Sequence, residues 1–179
     1  MYRPIRGIQA GSKATLVCDS FHVIKNINNI LKKERIKVMK RYDKDTVEYY
    51  LLKNFNFLLM MDSSKVYENT AKYNKKLQRY INYPKLLELI LNIDKNLKEA
   101  YSLKEMYLIF NSTSTHENAR TDLSGIIREY ASSSIEGYRQ FSSTLIDWFE
   151  EIVNSFILYK GKRITNGKIE GTNLRLNWH

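Results

Sequence analysis

The sequence predicts a mainly α-helical fold with one short strand, and three observations carry that prediction. Seven glycines and two prolines in 179 residues are too few for the many turns of a sandwich or barrel. Apolar residues recur at the three- and four-residue spacing of helices with one buried face through most of the chain. One run, Ala14-Thr15-Leu16-Val17-Cys18, is short, β-branched and apolar enough to be a strand.

That strand ends at Asp19. A helix is expected from about Phe21, with Ile24, Ile27, Leu31 and Val38 on one face. Residues 46–61 carry a second stripe, Val47, Leu51, Phe55 and Leu58, and residues 64–81 a weaker one, Val66, Tyr73, Leu77 and Tyr80. Pro84 suits the first turn of a helix running to about Leu91, and Asp94 can cap the next, to Phe110. Two capping boxes follow. Ser114-x-x-Glu117 precedes Ala119, Leu123, Ile126, Ile127 and Tyr130; Ser133-x-x-Glu136 precedes Tyr138, Phe141, Leu145, Trp148, Phe149, Ile152 and Phe156. The reading is an all-α body of six or seven helices behind one strand, without internal repeats or low-complexity linkers.

The length fits one domain, or one domain with a fragment, and 43% hydrophobic residues suffice for a buried core. No apolar run approaches the roughly 20 residues that cross a bilayer, and the N-terminus lacks a signal-peptide core. A single cysteine, Cys18, excludes an internal disulfide framework and a cysteine-based zinc site. The expectation is a soluble, cytoplasmic protein that does not engage membranes.

Charge points to a polyanionic partner. Net charge is +10, from 29 basic and 19 acidic residues, and nucleic acid is the first candidate. Abundant Lys, Asn, Ile and Tyr would also follow from an AT-rich coding sequence, so distribution matters more than total. Lys25, Lys32, Lys33, Lys37, Lys40 and Arg41 crowd a segment whose one acid is Glu34; Lys162, Arg163 and Lys168 lie in a second basic stretch. These are the candidate DNA contacts. The competing reading is the solvated face of an amphipathic helix.

Two motifs carry candidate chemistry. In Asn166-Gly167-Lys168-Ile169-Glu170-Gly171-Thr172-Asn173 a carboxylate sits between glycines, each costing a helix about 1 kcal/mol relative to Ala. Such a segment lets a phosphate backbone or a metal approach the main chain beside Glu170; a glycine-punctuated surface turn is the commoner use. Asp19-Ser20-Phe21-His22 lies where the strand turns into a helix, so both side chains can share one side of the helical start. Asp19 as a simple cap is the plainer reading. His116 reads as a surface residue, His179 as a terminal one, and Cys18 and Trp148 as core, although an aromatic on a helix surface can stack on a flipped base. No Walker loop, dinucleotide fingerprint or Ser-His-Asp order is present.

Taken in order, CDSFHVIKNIN, YYLLKNFNFLLM, AYSLKEMYLIF, FSSTLIDWFEEIVNSF and ITNGKIEGTN resemble the DDE transposases of the bacterial ISL3 insertion-sequence family, from about Met1 to Asn173. The resemblance implies an RNase H-like core in which three carboxylates hold two divalent metals, Mg2+ or Mn2+, with a helical insertion before the third carboxylate. It makes Glu170 that third carboxylate and a metal ligand. It makes Asp19 and His22 a supporting Asp-x-x-His motif; an alignment with Asp19 as the second carboxylate is the rival. Two-metal phosphoryl transfer needs several hard oxygen ligands, so carboxylates are the right equipment.

The departures shape the functional expectation. In the family a first Asp lies far upstream and a second precedes a segment like Met1-Tyr2-Arg3-Pro4, and a basic tail follows the motif matched by Glu170-Gly171-Thr172-Asn173. The expected organisation is a core remnant at residues 1–22, a helical insertion at 23–160 and a truncated segment bearing Glu170 at 161–179. The expected function is a fragment of a DDE transposase, inactive alone because the first two catalytic Asp are missing. The alternative is a non-catalytic basic helical module that binds DNA or full-length transposase as a regulator.

Overall fold

Apolar residues at helical spacing form helices wherever a cap or turn lets them start. A computed structural model describes residues 5–9, 14–67, 70–159 and 161–163. Among these are eight α-helices and three two-stranded antiparallel hairpins, a mainly α protein as predicted. The chain divides into two compact units, Met1–Asn26 with Ile109–His179, and Ile27–Leu108. The boundaries fall within the long helices α1 (Ser20–Met39) and α5 (Lys95–Thr113).

In the first unit, β1 (Ile5–Gln9) pairs with β2 (Ala14–Cys18), Ile5 opposite Cys18 and Gln9 opposite Ala14. Strand β2 packs on α8 (Phe149–Asn154), and α6 (Ala119–Ser132) on α7 (Glu136–Asp147). The predicted stripes turn inward: Ala119, Leu123, Ile126 and Tyr130 from α6, and Tyr138, Phe141 and Leu145 from α7, with Trp148, Ile152 and Phe156 beyond it. A short hairpin of β5 (Leu158–Tyr159) and β6 (Lys162–Arg163) closes this part of the chain, turning at Gly161, whose φ of 73° is the left-handed conformation glycine adopts freely.

The first expected capping box does not form. Helix α5 runs to Thr113, and Ser114 donates its hydroxyl to Asp122 Oδ2 at 2.6 Å. Asn118 takes over the turn, its Oδ1 accepting from Thr115 N–H at 2.6 Å, so α6 starts one residue later, at Ala119. At the second, Ser133 Oγ accepts from Ile135 N–H at 3.0 Å and α7 begins at Glu136.

The second unit holds most of α1, then α2 (Val47–Asn54), α3 (Asn56–Met60), α4 (Tyr83–Leu91) and the start of α5. Both expected helix starts hold, the first with a cap from Asn82. Asn82 Oδ1 accepts from Lys85 N–H with Pro84 in the first turn, and Asp94 Oδ1 accepts from Asn96 and Leu97 N–H at 2.9 and 3.0 Å. Helix α1 buries Val23, Ile27, Leu31, Arg35 and Val38, with Ile24 only half-buried. The 46–61 stripe is split at Phe55, whose ring instead stacks edge-on against Tyr50 at 5.7 Å, and Val47 is exposed.

Residues 64–81 correct the helical expectation outright, and with it the expectation of strand near 14–18 alone. The segment contains one 3-10 turn at Ser63–Lys65 and a hairpin, β3 (Lys72–Asn74) with β4 (Arg79–Ile81). Asn74 Oδ1 accepts from Leu77 N–H at 3.0 Å and Gln78 adopts φ 51°, local turn chemistry that outweighs a weak apolar period. The residues meant for a buried helical face, Tyr73 and Tyr80, face each other across the strands in the open.

Candidate nucleic-acid interface and catalytic turn

Asp19 stands at the junction of β2 and α1. Its Oδ1 accepts from Phe21 N–H at 2.9 Å and its carbonyl from His22 N–H at 3.0 Å, so it caps α1. His22 follows half-buried, its ring edge-on to exposed Phe21 at 5.8 Å. The strand-to-helix turn therefore holds Asp19 and His22 at the same end of the helix. Behind them Cys18 is buried, and burial, with the charges of Asp19 and buried Glu151, pushes its thiol up to about 12. A thiol so disposed is a core group, as its place on an apolar strand predicted. Nothing in the local pattern singles out Glu151, an acid of α8.

The basic face of α1 is where charge meets solvent. Lys25, Lys32, Lys33 and Lys37 are exposed, on the sides of the helix away from Val23, Ile27, Leu31 and Val38, and Lys40 is exposed just past its end. Lys37 lies 3.7 Å from Glu34, and Arg41, beyond the helix, pairs with Asp94 at 2.7 Å. Arg163 points inward: Nη1 donates to Asn111 O at 2.5 Å, Nε to Ser155 O at 3.2 Å, and the guanidinium lies 3.7 Å from the Phe156 ring centre. Lys162 belongs to β6, and its side chain lies outside the described residues, as do Lys168 and Glu170. The expected approach of Asp19 to Glu170 falls outside them too. His116 is exposed and Trp148 buried, as read from the sequence.

Two cations that sequence reasoning missed are buried. Arg35 fills the gap between Leu31 and Val38 in the α1 stripe and donates Nη1 to Leu52 O at 2.7 Å; desolvation lowers its pKa. Lys104 is completely buried, donates to Leu59 O at 2.9 Å and Met61 O at 2.5 Å, and contacts Glu105 Oε1. Desolvation lowers its pKa, against the pull of Glu105. Arg35 had a signal, an unfilled turn in the apolar period; Lys104 had none.

Residues 9–178 match a family of transposases of the DDE type. The chain belongs to the ISL3 family of DDE transposases. No curated protein and no solved structure matches it. Membership implies DNA as a partner, and the family uses divalent metals. Among the described residues no three of His, Cys, Asp or Glu gather as metal ligands, and Asp19 already uses one oxygen as a cap. That donor set does not by itself fit Mg2+ or Mn2+. No described helix is long and apolar enough to cross a membrane.

Proposed function

We propose that this ISL3 transposase chain is a DNA-binding part of a catalytic region, contributing Glu170 to a centre whose other carboxylates come from elsewhere. The observation that supports it is the exposed lysine face of α1 on a chain matching a transposase family over residues 9–178. In this reading Lys25, Lys32, Lys33, Lys37 and Lys40 follow DNA phosphates, with Arg41, Lys162 and Lys168 extending the field. Glu170 is the third carboxylate and one ligand of Mg2+ or Mn2+. Asp19 and His22 support it from the start of α1: Asp19 fixes the turn, and His22 offers an imidazole beside it.

One carboxylate does not hold two divalent ions, so the chain alone neither cuts nor joins DNA. Incubation of supercoiled plasmid with the chain and Mg2+ or Mn2+ should leave it intact. Nicking abolished by Glu170→Ala would overturn this and show that the chain completes its own centre. For the DNA contact, gel shifts across a salt series decide. Each phosphate contact adds about 0.9 to the slope of log affinity against log salt on duplex DNA, so combining Lys32→Gln, Lys33→Gln, Lys37→Gln and Lys40→Gln should flatten it. Gln keeps similar helix propensity. An unchanged slope would make the lysine face mere solvated surface.

A further inference from the structure

The β3–β4 hairpin has a fixed face and an open face. Asn74 is buried and donates Nδ2 to Tyr50 Oη of α2 at 3.1 Å, Ile81 is buried, and Lys76 Nζ reaches the Asp45 carbonyl. The opposite face carries Tyr73 and Tyr80, 53% and 73% exposed, directly paired across the strands with ring centres 5.3 Å apart. Alternation on a docked hairpin forces this: once Asn74 and Ile81 point in, Tyr73 and Tyr80 must point out. Lys72, opposite Ile81, and Arg79, opposite Asn74, start from the docked side by the same alternation, but both are exposed at its margins beside the tyrosines, and Lys75 and Lys76 stand on the turn. Lys72, Lys75 and Arg79 have no carboxylate partner among the described residues. No acid occurs between Glu68 and Glu88. Beside Arg79 and Tyr80 opens a cleft of about 430 Å³, reaching Asn82 and the Lys85–Glu88 pair.

We propose that this hairpin is a second DNA contact, one that takes unpaired nucleotides: the tyrosine rings stack on exposed bases while Lys72, Lys75 and Arg79 hold the adjoining phosphates. Aromatic faces flanked by cations suit single strands, because every base has a face to stack on and every linkage a charge to neutralise. Bases inside a duplex already stack on each other and offer the rings nothing, so a nucleotide must be unpaired or turned out of the helix to be gripped. The α1 lysines from Lys32 to Lys37, whose stretch of the helix carries no aromatic residue, suit duplex phosphates instead. The choice of DNA rests on the transposase reading; the preference for unpaired nucleotides rests on the hairpin alone. The bland use of such a pair is cross-strand support of the hairpin.

Fluorescence anisotropy of the whole chain with labelled oligo(dT), the same length of duplex DNA, and oligo(rU) tests the proposal. The double variant Tyr73→Thr with Tyr80→Val keeps residues that favour strands. It should weaken oligo(dT) binding about fivefold or more and leave duplex binding within about twofold. Tyr73→Phe with Tyr80→Phe should bind like the parent. Unchanged oligo(dT) affinity in the Thr/Val variant, equal losses on both DNAs, or tighter binding of oligo(rU) than oligo(dT) would each overturn it. Should the double variant misfold, photocrosslinking of the unaltered chain to iodouracil-substituted oligo(dT) decides: adducts at Tyr73 or Tyr80 are expected, and adducts confined to other segments sink it. A chain that binds no DNA refutes the proposed function itself; one that binds DNA without these effects refutes only the hairpin.

Discussion

In the unit of Met1–Asn26 and Ile109–His179, helices meet through aromatic pairs. Tyr130 meets Tyr138 at 4.8 Å, Phe110 meets Phe156 at 4.9 Å, and Phe141 stands edge-on to Trp148 at 6.5 Å. In the unit of Ile27–Leu108, buried cations grip backbone carbonyls: Arg35 takes Leu52 O near the end of α2, and Lys104 takes Leu59 O and Met61 O at the end of α3. The difference follows from helix length. Helices α2 and α3 have eight and five residues, and any helix leaves its last four carbonyls unpaired. Two short helices buried together have a high share of such groups. A cation at the C-terminal end satisfies them and meets the favourable end of the helix dipole. The first unit also sends cations to carbonyls at helix ends, Arg139 to Ser133 O and Arg163 to Asn111 O and Ser155 O, but from exposed or half-buried positions. Between α6 and α7, therefore, ring packing fills the interior. Where helices are short, polar groups in the core are a geometric necessity.

The largest expected effect comes from removing the buried lysine. Lys104→Ala should destabilise the protein by about 3–5 kcal/mol, since two carbonyls lose their donor and Glu105 its cation, keeping the Ser63 N–H, inside the unit. Urea unfolding gives the magnitude. Hydrogen exchange should show protection falling within Ile27–Leu108 and persisting in α6 and α7; a uniform loss would erase the contrast between the units.

Alkaline pH probes the other unit. The folded Cys18 thiol keeps its proton to about 12, whereas in the unfolded chain it ionises from about 9. Within that window the unfolded state binds fewer protons, so stability falls as pH rises, by up to about 1.4 kcal/mol per pH unit from this group. Below pH 9 the group contributes no slope. Melting curves of parent and Cys18→Ala between pH 8 and 11 should diverge in slope, the variant being flatter; parallel slopes would mean the thiol is not held in a dry core.

A smaller effect tests the rings. Tyr138→Leu preserves an apolar side chain but deletes the pairing with Tyr130, so the loss should be about 1 kcal/mol, read by thermal or urea unfolding. A loss as large as that of Lys104→Ala would mean that shape, beyond ring pairing, holds α6 to α7. The smallest effect belongs to the surface. Arg120 forks onto Glu150 with both contacts at 2.7 Å, yet both side chains are largely exposed, and such pairs contribute little. Arg120→Ala should leave the melting temperature unchanged within measurement. A clear drop would show that this pair, with Arg120 also over the Phe149 ring at 5.2 Å, acts as part of the packing.

Much of this was written locally. Low glycine and proline content, the apolar stripes of α1, α6 and α7, the caps at Asp94 and before Pro84, the strand at 14–18 and the burial of Cys18 and Trp148 all follow from neighbours in sequence, because helix period and capping act over three or four residues. The strings from Cys18 to Asn173 likewise carried the family. What only the tertiary structure decided involves partners far apart in the chain. Arg35 is buried because Leu52 offers a carbonyl, and Lys104 because Leu59 and Met61 do. Tyr73 and Tyr80 are exposed because Asn74 is tied to Tyr50 across α2. Each side chain answers to a carbonyl, hydroxyl or strand that local spacing does not specify, and burial then reverses what charge or hydropathy alone would assign: two cations go inside, and two aromatic rings stay out.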